Sequence, residues 1–200
     1  MEYRSDFIRE PDIRAVYKVV DGFELPLWIY LPQGDFSNAE TVLCIHGGSW
    51  ETGIQEDFVF DGLHMRYQAD YYSKMGKIGV AISYRSVKTG ATIKDLAGDC
   101  RDALKYLADN FGFVDKEKVY LIGDSAGAQL CATLIRKDAL SFKIRGAALC
   151  NPVSDLTIDK WKHAAPDSLE ERAEFSPLNF AKEIDINCKI LLMHGTKDNV

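Results

Sequence analysis

No run of eighteen consecutive apolar residues occurs in this 200-residue chain, so no segment has the length that a membrane-spanning helix needs. The opening residues, M-E-Y-R-S-D-F-I-R-E, carry acids and bases where a secretory leader would be continuously apolar. No block of lysine and arginine appears and the net charge is −6, which argues against nucleic acid or an anionic membrane as partner. There is no glycine-rich phosphate loop, no dinucleotide-binding fingerprint and no cluster with metal-ligand spacing, so no cofactor and no metal are expected. The cysteines, Cys44, Cys100, Cys131, Cys150 and Cys188, are odd in number and lack any C-x-x-C pair. They read as buried, reduced thiols, and the chain as cytoplasmic.

With 46% hydrophobic and 27% charged residues, the chain can bury one sizeable core. One domain over residues 1–200 is expected. Two extended segments from Ile13 to Leu31 flank Asp21-Gly22, a strong signal for an antiparallel hairpin. Pro26 in the second segment marks an edge position or a bulge, because proline cannot donate to a ladder. The run T-V-L-C-I at 41–45 is apolar throughout, as in a strand covered on both faces. Leu63, Tyr67, Tyr71 and Met75 then recur at helical spacing up to a stop at Gly76, and a strand resumes at Ile78. Thr92 and Asp95 fit a capping box for a helix whose stripe is Ile93, Leu96, Cys100, Leu104, Leu107 and Phe111. Further strands are read at Gly146–Cys150 and Lys189–Met193.

The chain is organised around Val119 to Gly127, V-Y-L-I-G-D-S-A-G. A short strand leads into Ser125 and an apolar helix, Ala126 to Arg136, leads away. So tight a turn strains the backbone of the central serine and needs tiny residues where helix crosses strand, here Gly123 and Gly127. Earlier, His46-Gly47-Gly48-Ser49-Trp50 follows a buried strand, and its glycines let backbone N–H groups converge on a developing oxyanion. The alternation of strands and helices implies a mostly parallel sheet with right-handed crossovers and helices on both faces. Residues 151–186 break this rhythm with Pro152, Pro166, Pro177 and the isolated aromatics Trp161, Phe175 and Phe180. A loop after the carboxyl end of a strand faces the binding crevice, so this segment is expected to roof the site, its aromatics serving packing or substrate contact.

The oxyanion loop at 46–50, the G-D-S-A-G elbow at 123–127 and the His194-Gly195-Thr196-Lys197-Asp198 turn together resemble the α/β-hydrolase superfamily. Within it, the match is to the esterase/lipase group that includes hormone-sensitive-lipase-like carboxylesterases, feruloyl and acetylxylan esterase-like proteins, and kynurenine formamidase. The resemblance implies Ser125 as nucleophile and Asp198 as the acid that orients a histidine. Backbone N–H groups of Gly48, Ser49 and Ala126 would form the oxyanion hole, with His46, Gly47, Gly123 and Gly127 supporting the motifs.

One part is missing. The family's histidine follows its acid by a few tens of residues, whereas the histidines here are His46, His64, His163 and His194. None occupies the family's position, and only His163, in the roof, could be imagined as a stand-in. A serine without a base is a weak nucleophile, so the 200 residues as given are expected to be nearly inactive. We read them as a piece of a longer hydrolase whose C-terminal strand and helix are missing, rather than as a protein that has lost catalysis. The expected activity is hydrolysis of a small-molecule ester through an acyl-enzyme. The alternatives are cleavage of an aryl formamide and, from another class, a catalytically silent ligand-binding protein of the same fold. Acyl and alcohol preference and oligomeric state are not encoded in these motifs.

Overall fold

The computed structural model describes residues 9–52, 62–137, 139–165 and 168–198. Residues 1–8 and Pro166 lie outside the described residues, as do the side chains of Leu63 and His64.

The sheet has seven strands in the order β1-β2-β4-β3-β5-β6-β7. Strands β1 (Ile13–Val20) and β2 (Phe23–Tyr30) form the hairpin. Asp21 and Gly22 both take positive φ, 51° and 80°, which matches the right-handed twist of the flanking strands. β2 pairs antiparallel with β4 (Ile78–Ile82), and from there β3 (Thr41–Ile45), β5 (Val119–Asp124), β6 (Ile144–Cys150) and β7 (Lys189–Met193) run parallel. Pro26 therefore sits in an inner strand, not at an edge. It faces Val16 beside a register shift between Val16 and Lys18. This bulge in β1 absorbs the missing donor.

Helices cover both faces. α1 (Gly62–Lys74) packs through Met65 and Ala69 on one face, against Trp28, Tyr30, Val42 and Cys44. α2 (Ile93–Asn110) and α3 (Ala126–Leu134) cover the other face, over Leu43, Ile45, Val80 and Leu121. The core face of α2 is the one expected, and Thr92 and Asp95 form the reciprocal capping box. Thr92→Ala is expected to lower stability by about 1 kcal/mol, since a cap hydrogen bond is lost at an otherwise unchanged helix. Urea unfolding reads this directly.

α1 forms where the helical spacing places it, but the described residues that show the spacing do not face the core. Tyr67, Tyr71 and Met75 are exposed, and the buried face carries Met65, Ala69 and Asp70. A Cβ at Gly79 of β4 would lie 1.9 Å from the Ala69 carbonyl oxygen, so helix and strand touch backbone to backbone through small residues. The connection from β6 to β7 is not bare loop either. It contains a 3-10 turn at Asp159–Ala164, α4 (Leu169–Glu174) and α5 (Pro177–Phe180). Trp161, Phe175 and Phe180 are buried in the core cluster, so these aromatics pack inward. β7 is exposed along its whole length, Ile190, Leu191, Leu192 and Met193 included.

All five cysteines are free thiols, four of them buried and Cys150 half-buried. Burial pushes the Cys44, Cys100 and Cys131 thiols far up and Cys188 to about 11. None is poised to react as a thiolate.

Candidate active site

Ser125 stands between β5 and α3 with φ 51° and ψ −117°, a region that costs a non-glycine residue about 1–3 kcal/mol. The surroundings enforce it. The Ser125 N–H donates to the Cys150 carbonyl at the end of β6 (2.8 Å), and its own carbonyl accepts the Gln129 N–H (3.1 Å). A Cβ on Gly123 would lie 2.4 Å from the Gly127 carbonyl oxygen, and one on Gly127 would lie 2.2 Å from that of Ile45. Both positions hold glycine because strand and helix cross there in backbone contact.

The turn after β3 lies against this serine: a Cβ on Gly47 would come within 3.1 Å of the Ser125 Cβ. Gly48, Ser49 and Trp50 take φ of 102°, 54° and 61°, unusual for serine and a genuine outlier for tryptophan. Six consecutive carbonyls are tied back into the protein. That of His46 accepts the Tyr84 hydroxyl (2.7 Å) and that of Gly47 the His46 Nδ1–H (2.7 Å). Gly48 accepts the Glu51 N–H (2.9 Å) and Ser49 the His163 Nε2–H (3.1 Å). Trp50 accepts the Val87 N–H (2.9 Å) and Glu51 the Ser86 hydroxyl (2.6 Å). In a planar peptide the N–H points away from the preceding carbonyl, so holding these oxygens also sets the amides. Among the described residues, no acceptor takes the N–H of Gly48, Ser49 or Ala126.

Trp50 locks the turn to the elbow helix. Its buried indole donates to the Gln129 Oε1 (3.1 Å), and the Gln129 Nε2 donates to the Phe175 carbonyl (2.8 Å). Gln129 was legible in principle, since a lone amide in the otherwise apolar run A-G-A-Q-L-C-A must find a specific partner when buried. Nothing in the sequence marked Tyr84, whose ring stacks on His46 at 4.2 Å between centroids.

The histidines divide by environment. His46 is buried in that stack. His163 leans on Trp50 and Trp161 and bonds to Ser49, as a donor. His194 lies at the end of β7 with its Nδ1 3.8 Å from an Asp198 carboxylate oxygen. Among the described residues, no hydrogen bond joins a histidine to the Ser125 hydroxyl. Asp198 lies in the turn after β7, at the carboxyl edge of the sheet where Ser125 also sits, and its N–H donates to the Gly195 carbonyl (3.2 Å). Among the described residues, no group of three or more His, Cys, Asp or Glu side chains could hold a metal ion, and no helix is long and apolar enough to cross a membrane.

This strand order, with a strained serine between strand and helix, defines an α/β-hydrolase of the esterase/lipase superfamily. Residues 27–144 match the model of the BD-FAE family, and the chain belongs to that family. Its curated relatives include the probable isoprenylcysteine alpha-carbonyl methylesterase ICME of Oryza sativa subsp. japonica. The two are 26% identical over 113 residues, 56% of this chain and 25% of that protein. The isoprenylcysteine alpha-carbonyl methylesterase ICME of Arabidopsis thaliana is 24% identical over 130 residues, 64% of this chain and 28% of its own length. The chain thus spans little more than a quarter of these two relatives. Among solved structures, it is similar to the apo form of Thermogutta terrifontis esterase 2. That match has a TM-score of 0.72 at 20% identity and covers 92% of this chain and 83% of that one. The same esterase, phosphoramylated by tabun, matches equally well.

Proposed function

We propose that this chain is the catalytic core of a cytoplasmic serine carboxylesterase acting on a small ester, with Ser125 as nucleophile. The observation that carries the reading is the strained backbone of Ser125 directly against the turn at Gly47. The Ser125 oxygen attacks the acyl carbon, the carbonyl oxygen gains charge, and the N–H groups of Gly48, Ser49 and Ala126 stabilise it. Collapse of the tetrahedral intermediate expels the alcohol and leaves an acyl-serine. Water then attacks this ester and releases the acid, regenerating the hydroxyl.

The proton of Ser125 needs a base, and Asp198 is placed by the family pattern to orient one. Among the described residues no histidine is hydrogen-bonded to the Ser125 hydroxyl, which supports the expectation that residues 1–200 alone are nearly inert. The methylesterase relatives support an ester as substrate class. The roof over 151–186 turns its large aromatics into the core, which removes the aryl-stacking argument for a formamidase.

Full-length protein incubated with p-nitrophenyl acetate should turn over. One equivalent of an organophosphate ester should abolish that turnover, releasing its leaving group and adding the mass of the phosphoryl group that remains, in place of the hydroxyl hydrogen, to the peptide containing Ser125. Inertness toward the ester together with failure to label would end the esterase reading, and aryl formamides and then ligand binding would be tried in its place.

A further inference from the structure

Gly48 to Glu51 form a tight turn closed by the Glu51 N–H on the Gly48 carbonyl, with positive φ at both central residues, Ser49 and Trp50. Positive φ at both places defines a type I′ turn, whose usual residues are asparagine and glycine. Serine and tryptophan are poor choices for it. Turning over the central peptide, the Ser49 carbonyl with the Trp50 N–H, would return Trp50 to negative φ and relieve the worse of the two strains. The oxygen that must swing in such a flip is the Ser49 carbonyl, and it is held by the His163 Nε2–H at 3.1 Å.

The tether comes from far along the chain. His163 belongs to the 3-10 turn at 159–164, and its ring packs at centroid distances of 6.0 Å from Trp50 and 5.9 Å from Trp161. Because a carbonyl oxygen can only accept, Nε2 must carry the hydrogen. That nitrogen is therefore committed to the turn and unavailable as a base in this arrangement.

We propose that His163 is a positioning residue for the oxyanion hole: by holding the Ser49 carbonyl it blocks the flip of the Ser49–Trp50 peptide and so anchors the end of the Gly48–Ser49 segment, whose own N–H groups, on the two preceding peptides, face the substrate oxygen. The β6–β7 connection thereby controls the transition-state donors, although it supplies none of them. The inference rests on the esterase reading above.

Two variants separate the hydrogen bond from packing. His163→Phe keeps a ring between Trp50 and Trp161 but removes the donor, and His163→Gln returns an N–H at nearly the same reach. In full-length protein, His163→Phe should lower kcat on p-nitrophenyl acetate by roughly tenfold or more, within the cost of losing one oxyanion donor. KM should stay within about twofold, because the turn acts on the transition state. His163→Gln should recover most of the loss.

A His163→Phe enzyme as fast as the wild type overturns the proposal, and so does a Gln variant as slow as the Phe one. If the wild type itself is inert, the esterase reading fails, and amide hydrogen exchange decides the proposal instead. The Trp50 amide, the one that the flip turns over, should exchange faster in His163→Phe than in the wild type. Equal exchange overturns the lock.

Discussion

Ser125→Ala in the full-length protein is expected to reduce turnover of p-nitrophenyl acetate by roughly 10⁶, the cost of removing the nucleophile from a triad. The fold should not notice. Ser125 is held by its backbone, through the Cys150 carbonyl and the Gln129 amide, and neither bond involves the hydroxyl. Alanine suffers the same strain at φ 51° as serine does, so the Tm should barely move. Ser125→Gly provides the complementary measurement. It should be equally inactive yet more stable than the alanine variant by about 1 kcal/mol, because glycine adopts positive φ without a Cβ penalty. Thermal unfolding of the two variants side by side tests this, and a glycine variant no more stable than the alanine one would show that the elbow is not strained.

Gly127→Ala is expected to produce the largest loss of stability. The added methyl carbon would lie 2.2 Å from the Ile45 carbonyl oxygen and 2.4 Å from that of His46. Both belong to backbone, so no side chain can swing aside, and relief requires α3 to lift off the sheet. Overpacking of compliant cores costs about 1–3 kcal/mol, and this rigid contact should reach or exceed the upper end. At about 2–4 °C per kcal/mol for a chain of this size, Tm should fall by roughly 10 °C or more, with esterase activity lost as the elbow shifts. Gly98→Ala is the control, because its Cβ on α2 would meet only the tip of Arg101 at 3.9 Å. That substitution should stabilise by about 1 kcal/mol through helix propensity. A Gly127→Ala protein that melts with the wild type would show that strand and helix do not cross there as described.

The elbow could be read from the sequence because its constraint is local. A serine flanked by Gly123 and Gly127 between an apolar strand and an apolar helix leaves few other structures for those residues. The capping box at Thr92 and the hairpin turn at Asp21-Gly22 are local in the same sense, and each formed as expected. α1 shows where that kind of reading fails. Leu63, Tyr67, Tyr71 and Met75 show helical spacing and nothing more; the helix forms, but Tyr67 and Tyr71 are exposed, and it approaches β4 so closely at Gly79 that only a residue as small as Ala69 fits between. Close approach selects small residues, which carry no hydrophobic signal. The partners of the oxyanion turn were hidden for a different reason. Tyr84, Gln129 and His163 lie 37, 79 and 114 residues from Gly47, Trp50 and Ser49, the turn residues to which they bond, and no spacing rule reaches that far. Pro26 falls between the two cases: an edge position or a bulge is the expectation, and the structure has the bulge, on the facing strand, with Pro26 itself in an inner strand.

β7 has consequences for how the 200-residue chain behaves in a tube. Its outer side has no neighbouring strand among the described residues, and Ile190, Leu191, Leu192 and Met193 are 44%, 56%, 63% and 41% exposed. A row of unpaired N–H and C=O groups bordered by apolar side chains is a template for another strand. Lys189 is the only charge on it, too little for like-charge repulsion to keep two such edges apart. These residues are therefore expected to self-associate through this one short strand as their concentration rises, which sedimentation at two protein concentrations reads.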